Sequence, residues 1–133
     1  MPIRTRNCGR FTAGCDGLSG AQTVYLKMQG SQTIGDYALM SFRRRTLVYD
    51  FSIYALIGTG TSVTMTVRKY SGGAWTDTAV SASAARASDG VTQATSSAQA
   101  LFLPGDLLSV KVVVAGIGYV GDQHQASFAT RNA

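Results

Sequence analysis

The run Leu101-Phe102-Leu103-Pro104-Gly105-Asp106, continued by Leu107-Leu108-Ser109-Val110-Lys111-Val112-Val113-Val114, constrains the fold of this chain more than any other segment. It reads as strand, tight turn, strand. Pro104 presets φ at the first central position of a turn, and Gly105 supplies the positive φ that a type II turn demands next. The eight residues that follow are mostly apolar and rich in valine, as in a strand buried on at least one face.

The same grammar recurs along the chain. Thr23–Met28 alternates Val24, Leu26 and Met28 with polar neighbours. Thr46–Ile57 is the strongest strand signal, with Leu47, Tyr49, Phe51, Ile53, Ala55 and Ile57 on one face and Val48, Asp50, Ser52, Tyr54 and Leu56 on the other. Val63, Met65 and Val67 alternate in a further strand. Ser71-Gly72-Gly73 signals a hairpin, with Ala74–Thr78 as its return. Residues 31–37 read as a loop. Residues 79–99, mostly Ala, Ser and Thr around Ser88-Asp89-Gly90, read as short, weakly buried strands and loops. Gly116 and Gly118 interrupt the pattern before a last strand at 126–130. The expected core is Leu47, Phe51, Ile53, Val63, Met65, Val67, Val110, Val112 and Phe128.

Composition supports this reading. The chain has no glutamate, and threonine, serine, valine and glycine take the place of the usual helix formers. At 133 residues it is one domain with room for a core. The expected fold is all-β, an antiparallel jelly-roll-like β-sandwich over residues 23–133, with an extended N-terminal arm over 1–22. That arm has no apolar period and carries Gly9, Gly14, Gly17 and Gly20. No window has the apolar length of a helical membrane span, and the first residues lack a hydrophobic signal core. The expectation is a soluble chain made in a cytoplasm, with no membrane partner.

Charge is unevenly placed. Residues 1–45 carry seven Lys and Arg against two Asp, whereas residues 46–133 carry five against five, so the whole net charge of +5 lies in the first third. Arg4, Arg6 and Arg10 on the arm, with the Arg43-Arg44-Arg45 run, are the candidate partner-binding residues. They suit an acidic partner, protein or nucleic acid, or carboxylates across a subunit interface. The plain alternative is a solvated, solubilising surface.

Chemistry is sparse. His124 is the only histidine; if it lies in a strand, Asp122 shares its face, but no nucleophile completes a catalytic set. A polar loop residue is the simpler reading. Cys8 and Cys15 can close a disulfide loop or stand as free thiols, the default in a cytosol, and two cysteines without a nearby histidine do not make a metal site. No aspartate spacing fits a calcium loop, and Gly58-Thr59-Gly60 lacks the lysine of a phosphate loop. Trp75 and the tyrosines are not interleaved with basic residues as a single-strand binding platform requires. No catalytic residue, metal or cofactor is expected.

From Leu47 to Arg131 the order of elements resembles the C1q/TNF-like trimeric jelly rolls of bacteriophage virion proteins. The resemblance rests on the aromatic alternating strand (Leu47–Ile57), the Thr/Val strand (Ser62–Lys69), the small-residue stretch ending at Ala87-Ser88-Asp89, the Pro104-Gly105-Asp106 turn with its Leu-Leu-Ser-Val-Lys-Val strand, and the last strand (Ala126–Arg131). It covers about two thirds of the chain. The collagen-like stalk and fibre shaft often attached to such domains are absent from the sequence. What the resemblance implies is a virion protein, a homotrimer decorating (cementing) the phage head by binding the major capsid protein. Two other classes stay open: a receptor- or glycan-binding tail or fibre tip, and a nucleic-acid-contacting coat protein.

Overall fold

A computed structural model describes residues 22–28 and 35–133. Nine strands are formed among them: β1 (Gln22–Met28), β2 (Gly35–Ser41), β3 (Thr46–Thr59), β4 (Ser62–Ser71), β5 (Ala74–Ala85), β6 (Val91–Ser96), β7 (Ala100–Phe102), β8 (Leu107–Ala115) and β9 (Val120–Asn132). No helix occurs among the described residues. One sheet, called A here, runs β1-β9-β3-β6, with β7 also pairing β3; sheet B runs β2-β8-β4-β5. All the pairings are antiparallel. The fold is the expected all-β sandwich. The arm, with Arg4, Arg6, Arg10, Cys8 and Cys15, lies outside the described residues.

The inner faces of the two sheets meet in one core. Phe51, Ile53, Ile57, Val63, Met65, Val67, Phe102, Leu108, Val110, Val112 and Phe128 are all fully or almost fully buried. The Pro104–Gly105 turn forms as its chemistry dictates: Asp106 N–H donates to Leu103 O at 3.0 Å and Gly105 sits at φ 93°. The amide of Leu103 in turn donates to Asp106 Oδ2 at 2.9 Å, which closes the turn from both sides.

Three sequence expectations need correction. Leu47 is not core; Val48 is fully buried in its place. The cause is a β-bulge in β3. Between the pairs Tyr49↔Ala129 and Ser52↔Ser127, β3 advances three residues and β9 two, and Asp50 takes φ 52°. The extra residue flips the strand's phase, so Leu47 and Tyr49 turn outward while Phe51, Ile53, Ala55 and Ile57 stay inside. Residues 35–37 are strand, not loop, because β2 pairs with β8 from Gly35↔Val112 onward. Residues 79–85 are not weakly buried: they complete β5 and send Val80, Ala82 and Ala84 into the core. Their small size lets sheet B close on β3 there.

The facing of β3 is testable. Phe51→Ala should lower stability by about 3–5 kcal/mol, as truncation of a buried aromatic does. Val48→Ala should cost more than Leu47→Ala. Chemical denaturation of the three variants checks the order, and a reversed order for positions 47 and 48 would place the bulge elsewhere.

Candidate assembly surface

The outer face of sheet A differs from that of sheet B. On sheet B, Thr64 Oγ1 donates to Ser83 Oγ and Thr66 pairs with Ser81, each at 2.8 Å across the β4–β5 ladder. Beside them Arg68 Nε donates to Asp77 Oδ1 at 2.8 Å, and Lys111 Nζ lies 3.8 Å from Asp77 Oδ2. The Arg68 guanidinium also lies 5.9 Å from the Trp75 ring, which packs against Tyr70 at 5.3 Å. This is a polar, cross-paired surface of the kind that faces water.

On sheet A the middle of the outer face carries no charged side chain. β3 contributes Ser52, Tyr54 and Leu56, β6 contributes Val91, Gln93 and Thr95, and β9 contributes Gln125, Ser127 and Ala129. Tyr25 of β1 is 78% exposed and Tyr54 41%. A groove of about 230 Å³ runs between Tyr25, Tyr54, Ser52, Gln93, Gln125 and Ser127. Charges stand around this middle: Lys27 on the edge strand β1, in the row of Gln125 and Tyr54, Asp122 toward one end, and Asp50 and Arg131 toward the other, with the Arg131 guanidinium 5.4 Å from the Tyr49 ring. Exposed tyrosine with charge excluded from the centre is the composition of a protein–protein interface core.

This face was visible in the sequence only in part. The sequence shows the second face of the 46–57 strand but not its continuation onto β6 and β9. Residues 91–96 have too little apolar signal, and sequence alone does not place β9 beside β3.

The candidate charged residues divide. Arg43, Arg44 and Arg45 form the exposed turn between β2 and β3. That turn lies at the end of the sandwich where β9 finishes, since Ala133 N–H donates to Arg45 O at 3.0 Å. β1 starts at the same end, Gln22 standing opposite Thr130. The arginine run and the point where the arm joins the sheet are therefore brought together.

His124 is not a polar loop residue. It is fully buried in β9, and its Nε2 lies 2.8 Å from Tyr119 Oη. It does not share a face with Asp122, because a second bulge at Gln123, with φ 55°, turns His124 inward and leaves Asp122 outside. Nδ1 is buried with no hydrogen-bond partner. Desolvation holds the imidazole below its ordinary pKa, and the nearby Asp122 charge opposes this only partly. Desolvation likewise raises the Tyr119 phenol, so it stays neutral. A buried, neutral histidine held by a tyrosine is a structural pair rather than a general base.

Comparison with solved structures places the architecture. The structure of Eiger TNF from S. frugiperda matches with a TM-score of 0.54 at 11% identity, over 84% of this chain and 85% of that one. Murine APRIL at pH 8.5 matches at 0.53 and 9% identity, over 84% of this chain and 98% of that one. Murine APRIL at pH 5.0 gives 0.52 and 13%, over 68% and 71%. The fold is a TNF-like jelly roll. At such identities the likeness is one of fold. No protein-family model matches the chain, and no curated protein matches it by sequence.

The His124 environment sets a pH dependence. An unfolded histidine takes its proton near pH 6.5, whereas the native one resists until lower pH. Its contribution to stability is complete above the ordinary value and is lost as pH falls toward the depressed native value. The denaturation midpoint should drop between pH 7 and 5, and His124→Phe should flatten that drop. An equally steep fall in the variant would assign the effect to other groups.

Proposed function

We propose that this chain is a non-enzymatic assembly protein, a homotrimer built through the outer face of sheet A that decorates a virion shell. The observation that carries the self-association is the tyrosine-bearing outer face of sheet A, whose middle on β9, β3 and β6 holds no charged side chain. Leaving it in water exposes Tyr25, Tyr54, Leu56, Val91 and Val120 together. Covering such a face on each protomer removes apolar area from water, and each square ångström covered contributes about 25 cal/mol. The TNF-like topology supports the reading, because it leaves sheet A as a broad open face free to meet a neighbour.

The virion role is supported by the sequence resemblance to phage jelly rolls and by the separation of two surfaces. One face is suited to copies of itself. The basic end exposes Arg43, Arg44 and Arg45 and suits a second, acidic partner, for which the major capsid protein is the candidate. An enzyme has less support, since the single histidine is buried against Tyr119.

Sedimentation of the purified chain should give three times the 14.0 kDa protomer mass. Tyr54→Asp sets like charges together at the centre of the assembled face and should shift the species to monomer without loss of the β spectrum. The trimer should co-sediment with empty, expanded phage heads. A wild-type monomer at micromolar concentration, with no gain in mass on heads, would remove this reading.

A further inference from the structure

The end of the sandwich that carries the arginine run also carries an exposed apolar knuckle. The two are joined by main-chain hydrogen bonds: Gly105 N–H donates to Phe42 O at 2.9 Å and Phe42 N–H to Asp106 O at 3.3 Å. The β2–β3 turn therefore lies directly beside the β7–β8 turn. Leu103 is 47% exposed there, and Pro104 is exposed next to it. Turn chemistry accounts for Pro104 and Gly105, but position 103 asks for no leucine. Beneath the turns, Phe42 packs on Phe102 at 4.7 Å and Lys69 Nζ lies 5.2 Å from the Phe102 ring. The knuckle thus stands on a packed base.

The charge exposed on these two turns is positive. Arg43, Arg44 and Arg45 are exposed, and Arg131 projects from the adjoining end of β9. Asp106, the one acidic side chain in the two turns, is buried and accepts from Leu103 N–H. Its Oδ2 is committed to the turn.

We propose that the Arg43–Arg45 turn and the Leu103–Pro104 knuckle form one docking surface for an acidic protein surface that offers an apolar dimple among its carboxylates. Guanidinium groups take carboxylates in two-point hydrogen bonds, and a leucine fills a dimple between them. A phosphate backbone would use the arginines and leave Leu103 without a partner. Tyr70 and Trp75 pack on one another beneath Arg68 instead of standing free to take a base. The surface deepens the assembly reading by specifying the second partner, and rests on that reading only for the existence of such a partner.

The test uses the full chain and three fluorescent probes: a poly-glutamate peptide, a peptide of equal length that intersperses leucine among glutamates, and a short DNA duplex. The mixed peptide should bind about tenfold tighter than poly-glutamate, the gain from burying one leucine. Leu103→Ser should erase that preference and leave poly-glutamate binding unchanged. Replacing Arg43, Arg44 and Arg45 together by alanine should weaken both peptides. Equal binding of the two peptides, peptide binding indifferent to the arginines, or tighter binding of DNA with a steep salt dependence would each overturn the proposal. Sedimentation of the same samples separates this from the trimer question. A monomer that prefers the mixed peptide supports the docking surface while removing the trimer; a trimer without that preference does the reverse.

Discussion

The register between β3 and β9 is the constraint on which the rest of this structure depends. The ladder shifts at Asp50 in β3, near Gln123 in β9 and again between Ile57 and Thr59 of β3, and Asp50 and Gln123 are the two described non-glycine residues with positive φ. Each bulge reverses which side chains point inward. Without the first, Val48 and Phe51 could not both lie in the core. Without the second, His124 and Asp122 would share a face. Backbone strain at such positions costs on the order of 1–3 kcal/mol each, and the packing of Phe51, Phe128 and their neighbours holds it in place. The first bulge also coincides with a break in the adjacent strand: β7 pairs β3 up to Val48, and β6 pairs it from Phe51.

That arrangement divides the surface by task. The bulges place Leu47, Tyr49, Tyr54 and Leu56 on the outside of β3, and from Ser52 to Leu56 β9 and β6 extend it into a face with no charge at its middle. Cations gather instead on the turns at one end. Under the proposed reading, in which the chain holds both copies of itself and a second partner, this separation is useful, since a charge inside the first contact would oppose it and an unshielded apolar face at the second would promote aggregation.

Much of the fold was legible in the sequence because strand alternation is a local signal. The Pro104-Gly105 turn, the Gly72-Gly73 hairpin and the cores of β3, β4 and β8 were all readable from residues close together in the chain. What was not legible was either compensated or distant. Asp50 looks like an ordinary polar residue in an alternating strand, and nothing nearby in sequence marks it as the extra one. Gly35-Asp36-Tyr37 carries turn residues, yet its ladder partner is β8, more than seventy positions away. Ser81–Ala85 has side chains too small to announce burial, and only the proximity of β3 makes small size an asset. The docking surface shows the same limit. The three arginines stand out in the sequence, but Leu103 becomes their neighbour only through the hydrogen bonds of Phe42.

The position of β9 between β1 and β3 has a consequence for how the chain acquires its shape. Sheet A cannot be completed as its strands leave the ribosome: β3 can take β6 and β7, but β1 has no hydrogen-bonding partner until residues 120–132 exist. Sheet B waits in the same way for β8, which joins β2 to β4. Only the β4–β5 hairpin pairs neighbours in sequence at once. A chain wired in this order folds by closing long loops late, which is slow and leaves apolar strand edges, such as the edge of β3 that β9 will cover, unpaired in the interval. The low charge of those strands, useful in the proposed assembly, is during synthesis a hazard that the cell's chaperones would have to cover.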